Sequence, residues 1–282
     1  MAIQNVFVAG AGQMGTGIAQ VALQAGMKVT LFDIAEGQLD RARERVAAGL
    51  TKADRRGKLN GVTLAEAQAA LTLTTDLSAR DMDLVIEAAP ESEPLKRDLL
   101  ARLSEVVGEG GVLATNTSSL SITRLSQAVR RPEAFVGMHF MNPVPLMALV
   151  EVIPGLATDD STRDRAADFV RALGKTPVVC RDLPGFVVNR LLIPMLNEAC
   201  FALLEGACSP QQIDDAMKLG AGLPMGPLAL ADMIGLDTCL AIMEVMQRGY
   251  GDDKYRPCPL LRQYVDAGWL GKKSGRGFFT YG

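Results

Sequence analysis

The chain has 282 residues, 48% hydrophobic and 22% charged, with a formal net charge of −3. That length predicts two domains with a well-buried core, in the compositional range of globular proteins. The weak charge excludes a global attraction to nucleic acid or anionic lipid, and no apolar run is long enough to span a bilayer.

The first residues, MAIQNVFVAGAG, carry no basic segment and no small-residue cleavage site, and read as the mature start of a cytoplasmic protein. Residues 4–9 predict a strand that Gly10 ends, 15–25 a helix closed by Gly26, and 27–33 a second strand. Strand, turn, helix and strand in that order make a βαβ unit. A charged helix is expected over 38–50, and apolar β-type runs follow at 71–74, 84–88, 112–115, 136–140, 150–153 and 177–179. Helical spacing fills 94–107 and 162–173. The alternation predicts an α/β fold, a Rossmann-type doubly wound sheet. Beyond 184 the strand pattern stops. Residues 189–205 read as an apolar helix kinked at Pro194. Ser209, Pro210 and Gln212 form a helix start, 220–227 breaks that helix, and 229–246 resumes. The expected domains are therefore 1–184, for the nucleotide, and 185–282, a smaller all-α domain for substrate and dimerisation.

Within the first βαβ unit, Gly10-Ala11-Gly12-Gln13-Met14-Gly15 matches G-x-G-x-x-G. The first glycine permits the tight turn, the second lets a pyrophosphate approach the backbone, and the third lets helix and strand pack closely. The helix start then offers N–H groups to the phosphates. Asp33, at the end of the next strand, suits both ribose hydroxyls and repels a 2′-phosphate, so the expected cofactor is NAD. A turn aspartate capping the next helix is the competing reading of Asp33.

His139 is the only histidine of the chain. Pro143 and Pro145 lie between it and Glu151, and positions 139 and 151 are equidistant from Pro145. A hairpin centred there puts the two residues opposite one another on one face. A carboxylate beside an imidazole fixes its tautomer and raises its basicity, the arrangement of a base and its orienter. No His/Cys/Asp/Glu cluster has zinc spacing, so no metal is expected. The five cysteines, Cys180, Cys200, Cys208, Cys239 and Cys258, are odd in number, lack a C-x-x-C and read as reduced, packed thiols.

Seven blocks in order resemble the L-3-hydroxyacyl-CoA dehydrogenases, in particular the short bacterial 3-hydroxybutyryl-CoA type. They are GAGQMGTGIAQ, VIEAAPE, NTSSLSIT, GMHFMNPVPLMALVEVI, PGFVVNRLL, AMKLGAGLPMGP and GWLGKKSGRGF. The resemblance implies NAD-linked interconversion of (S)-3-hydroxyacyl-CoA and 3-ketoacyl-CoA, and a homodimer formed through the helical domain. It implies that His139 is the acid/base, Glu151 its partner, and that Ser118 and Asn189 hold the substrate's oxygens. For the cofactor it implies Glu91, Lys96, Asn116, Ser118, Asn142 and Lys273 beside the glycine turn. For coenzyme A it implies the basic residues of 52–58, best matched at Lys52 and Arg56. Other readings stay open: Ser118 or Asn189 as a helix cap, Lys96 or Lys273 as a solvated charge, and 52–58 as a solvated face. Ala148 stands where the family often has lysine. Two further functions fit the pattern, a sister enzyme acting on a hydroxy or sugar acid without CoA, and a silent NAD-binding sensor.

Overall fold

The computed structural model describes residues 3–77 and 80–282. Met1 and Ala2, the first residues of the stretch read as a mature start, lie outside the described residues. Contacts divide the chain into Met1–Asp182 and Leu183–Gly282.

The first unit is built on an eight-stranded sheet in the order β3-β2-β1-β4-β5-β6-β7-β8. The strands are β1 Asn5–Ala9, β2 Lys28–Phe32, β3 Leu71–Thr74, β4 Met82–Glu87, β5 Val107–Thr115, β6 Phe135–Phe140, β7 Leu149–Pro154 and β8 Thr176–Val179. Every neighbouring pair is parallel except β6 and β7, which run antiparallel. The connecting helices are α1 Gln13–Gln24, α2 Glu36–Asp54, α3 Leu64–Ala69, α4 Glu93–Leu103, α5 Ile122–Leu125 and α6 Asp160–Ala172. This is the Rossmann-type sheet that the alternation of runs predicts. Val6, Val8, Leu31, Leu84, Ile86, Val112, Ala114 and Val136 are fully buried and form its centre with Ile18, Ala19 and Leu23 of α1.

In this unit two features depart from the sequence reading. α3 falls where no element was expected: Thr63 and Glu66 close a capping box around a helix with one buried side chain, Ala67, so apolar periodicity gives no signal. β5 begins at Val107 rather than Val112, because three glycines (108, 110 and 111) hide its first half.

The second unit is helical, with α7 Val188–Leu204, α8 Pro210–Ala221, α9 Pro227–Ile234, α10 Leu236–Tyr250 and α11 Pro259–Asp266. Ser209 and Gln212 form the expected capping box of α8. The single helix expected over 229–246 is two helices, because Gly235 takes a φ of 104° that breaks α9 from α10. Its core includes Ile193, Leu196, Leu228, Leu236, Met243, Met246 and Leu261. Two buried aspartates tie backbone within it. Asp214 accepts from the N–H groups of Leu228 and Ala229 at the start of α9, at 2.8 and 3.0 Å. Asp232 accepts from Phe278 N, Phe279 N and the Tyr281 hydroxyl.

Candidate active site

Strand order reverses between β1 and β4, and in such sheets the crevice at the carboxyl ends of the strands beside that point receives ligands. The glycine turn lies there. Gly10, with φ of 112°, passes so close to β4 that an added Cβ would stand 2.6 Å from the Ala88 carbonyl oxygen. A Cβ on Gly15 would collide with the Gly10 carbonyl. A Cβ on Gly12 would meet nothing within 4 Å, and no side chain caps the start of α1. The turn is thus tight where chain meets chain and open at the helix end. Asp33 follows β2. One of its carboxylate oxygens accepts from Ala11 N at 2.8 Å, the other from Ala35 N at 3.0 Å. It ties the glycine turn to the entry of α2, whose N-cap is Ala35.

At the ends of β4 and β5 a buried acid–base pair supports a polar loop. Glu87 and Lys96 are both without exposed side-chain surface. The Lys96 ammonium donates to both Glu87 oxygens at 2.9 Å, to Ala89 O at 3.1 Å and to Asn116 O at 2.9 Å. Thr115 donates its hydroxyl to Glu87 at 2.6 Å. Burial pushes the Glu87 carboxyl above the ordinary glutamate range, while Lys96 and Thr115 pull it down. The burial of Lys96 removes the reading of a solvated charge. Glu91 gathers the next loop: one oxygen accepts from Thr117 Oγ1 at 2.5 Å, Ser118 N at 2.9 Å, and Ser119 N and Oγ at 3.0 and 3.1 Å. The cap of α5 is Ser121, not Ser118.

β6 carries the histidine and β7 the carboxylate. The antiparallel register sets His139 opposite Glu151, the pairing that the hairpin reading expects. His139 Nδ1 lies 2.7 Å from Glu151 Oε2; the histidine side chain is 6% exposed and that of the acid 0%. With the acid ionised this contact takes its proton from Nδ1, which leaves Nε2 as the nitrogen able to accept one. Asn116 reaches the same strand, its Oδ1 accepting from Phe140 N at 3.1 Å. Past β6, Gln13 donates from its amide to Asn142 Oδ1 at 3.0 Å, which joins α1 to the hairpin turn. Val144 of that turn packs against Gly17, where an added Cβ would be 2.8 Å from the Val144 Cβ.

The sites expected from sequence therefore converge in the first unit: Gly10, Gly12, Gln13, Met14 and Gly15 at the turn, and Asp33 beside it. Glu91, Lys96, Asn116 and Ser118 form one network, and His139, Glu151 and Asn142 one hairpin. Lys52 lies in the last turn of α2, and Arg56 lies just beyond the helix; both are exposed. Asn189 and Lys273 belong to the second unit. Asn189 is buried in the first turn of α7, whose N-cap is Val187, so it is not the cap. Lys273 pairs with Asp237 at 2.6 Å. Sequence reasoning missed Glu87 and Lys175. Glu87 carries a legible signal, a carboxylate that directly follows the apolar run Leu84-Val85-Ile86 and, if buried, has to find a cation. Lys175, in the loop between α6 and β8, donates to the carbonyls of Val144 and Met147, both at 2.6 Å. Burial, and secondarily the charge of Lys58, holds it below the ordinary lysine range.

Comparison with known proteins follows these units. The model of the 3-hydroxyacyl-CoA dehydrogenase NAD binding domain matches residues 5–183, and that of the 3-hydroxyacyl-CoA dehydrogenase C-terminal domain matches 185–281. The chain is 54% identical over 275 residues to a Deinococcus radiodurans protein named probable 3-hydroxybutyryl-CoA dehydrogenase, covering 97% of this chain and 99% of that one. It is 50% identical over 280 residues to the 3-hydroxybutyryl-CoA dehydrogenase of Bradyrhizobium diazoefficiens, with 99% and 96% covered. The crystal structure of (S)-3-hydroxybutyryl-CoA dehydrogenase from Ralstonia eutropha superposes with a TM-score of 0.95 at 46% identity, over 100% of both chains.

Proposed function

The chain belongs to the 3-hydroxyacyl-CoA dehydrogenase family, and from that premise we propose that it interconverts (S)-3-hydroxyacyl-CoA and 3-ketoacyl-CoA with NAD, acting first on the four-carbon 3-hydroxybutyryl ester. The observation that carries this reading is the 2.7 Å contact of His139 with Glu151 in the sheet that bears the glycine turn.

The residues present fit the dinucleotide. Gly12 leaves open space at an uncapped helix start, where N–H groups and the helix dipole favour pyrophosphate. The family resemblance assigns Asp33 to the ribose, and Glu91, Asn116, Ser118, Asn142 and, in the second unit, Lys273 to the cofactor. Lys96 serves from beneath, fixing the carbonyls of Ala89 and Asn116 on which that loop rests. When bound, NAD supplies the hydride acceptor.

The chain supplies the proton chemistry. An alcohol gives up hydride readily only as its proton leaves, so His139 Nε2 takes the hydroxyl proton and returns it in the reverse direction. Glu151 holds the Nδ1 proton, fixes the tautomer and stabilises the imidazolium that forms. The family resemblance assigns Ser118 and Asn189, each within its own unit, to the substrate's oxygens, and the exposed cations Lys52 and Arg56 to the phosphates of coenzyme A. The helical unit exposes Leu191, Leu219 and Met233, at 69, 87 and 54%, and we assign that apolar surface to a homodimer. Among the described residues no helix is long and apolar enough to cross a membrane. With five free cysteines, the enzyme is assigned to the reducing cytoplasm.

The deciding experiment mixes the protein with NADH and acetoacetyl-CoA and follows absorbance at the NADH band. Decay that depends on His139 supports the reading; no decay leaves a silent NAD-binding protein. Replacing Lys52 and Arg56 by alanine should raise KM for acetoacetyl-CoA more than it changes kcat.

A further inference from the structure

The turn between β6 and β7 holds both ends of the proposed chemistry: Asn142 at one side, and the two strands that oppose His139 and Glu151 at its base. Its own hydrogen bonds are few. Leu146 N and Met147 N both donate to Pro143 O, at 2.9 and 3.1 Å. Val144 is buried at 2% exposure and anchors one side of the turn, whereas Leu146, at 67%, leaves its far side without packing. What crosses the turn instead is one half-buried ammonium. Lys175 reaches in from the start of β8 and donates to Val144 O and to Met147 O. The next residue, Thr176, donates its N–H to Ala148 O at 2.7 Å and opens the β7–β8 ladder. Gly17 and Gln13 of α1 meet Val144 and Asn142 of the same turn.

We infer that Lys175 is a positioning residue of the active site, a clamp that fixes the 142–147 turn against α1 and so keeps the imidazole–carboxylate pair and Asn142 in their working places. The claim rests on the catalytic reading above. A cation donating to two carbonyls gives strong, directional bonds that an apolar side chain of the same length cannot replace. Arginine keeps the charge and the donors. A displacement of about 1 Å at a reacting group is enough to cost on the order of 100-fold in rate.

The test uses the full chain as wild type, Lys175→Met and Lys175→Arg. Because the protein holds a single histidine, nitrogen-15 imidazole resonances report on His139 without ambiguity. The expected result is a folded Lys175→Met protein whose kcat for acetoacetyl-CoA reduction falls about 10- to 100-fold. KM for both substrates should stay within about threefold, as the loss of a transition-state arrangement requires. Its imidazole signals should shift or broaden, and arginine should restore most of the rate and the signals. A folded methionine variant with wild-type kcat and unchanged imidazole signals overturns the inference. If methionine does not fold, Lys175→Gln, which keeps an N–H donor without the charge, is read the same way. A wild-type protein that does not reduce acetoacetyl-CoA sinks the substrate reading alone. The imidazole spectra then still decide whether Lys175 holds the pair.

Discussion

Two buried acids of one sheet each have a basic partner, Glu87 with Lys96 of α4 and Glu151 with His139 of β6, and the pairs differ in kind. Lys96 spends its ammonium on four acceptors from two strand ends and a loop, with no exposed surface. Every acceptor it meets belongs to this chain, so this pair is an arrangement that shapes backbone. An imidazole is the side chain whose charge changes near neutrality, and its carboxylate partner lies directly across a hairpin. One pair sets geometry; the other is suited to pass a proton. The same buried acid takes either part according to its partner.

The difference can be broken most severely at His139. His139→Ala should lose about 10³- to 10⁴-fold in kcat while NADH binding, followed by fluorescence titration, stays near normal. Near-wild-type turnover would refute the assignment of the base. The corresponding change in the other pair, Lys96→Met, should act on stability instead. It leaves a buried carboxylate uncompensated, and urea unfolding should show a loss of about 3–5 kcal/mol. The sign of its pH dependence follows from Glu87. Burial already raises that carboxyl, and removing Lys96 takes away its main opposing influence. The folded state then binds the proton more tightly than the unfolded state. The variant's stability should therefore fall as pH climbs from the ordinary glutamate range toward neutrality. A variant more stable at pH 8 than at pH 6 would contradict this.

Glu151→Gln should cost about 100-fold in kcat with little change in the thermal midpoint, because the imidazole keeps a hydrogen-bonding neighbour but loses its stabilising charge. The smallest effect falls on Cys180. Burial, and after it the charge of Glu151, pushes that thiol up to about 12. In Glu151→Gln its alkylation at pH 9 should speed up about twofold, read by mass spectrometry against the exposed Cys208. An unchanged rate would indicate that Glu151 carries no charge to remove.

Much of this was legible from residue order. The glycine turn sits between a strand and a helix as its spacing requires, and the symmetric placement of 139 and 151 about Pro145 gives the hairpin register. What stayed hidden had physical causes. β5 begins among glycines with no side-chain pattern to read. α9 and α10 look continuous because a positive φ at Gly235 leaves no mark in the periodicity of its neighbours. Lys96 looks like one more charge on a helix, since its burial depends on a carboxylate from β4. Lys175 is silent in sequence because its partners are carbonyls, which every residue has.

Asp33 has a consequence for redesign. Its carboxylate would discriminate between the two nicotinamide coenzymes, yet the same two oxygens already tie Ala11 and Ala35 together. Neutralising it to welcome a phosphorylated adenosine would also slacken the glycine turn that it ties down. A swap of coenzyme preference therefore calls for a replacement brace as well as a new cation.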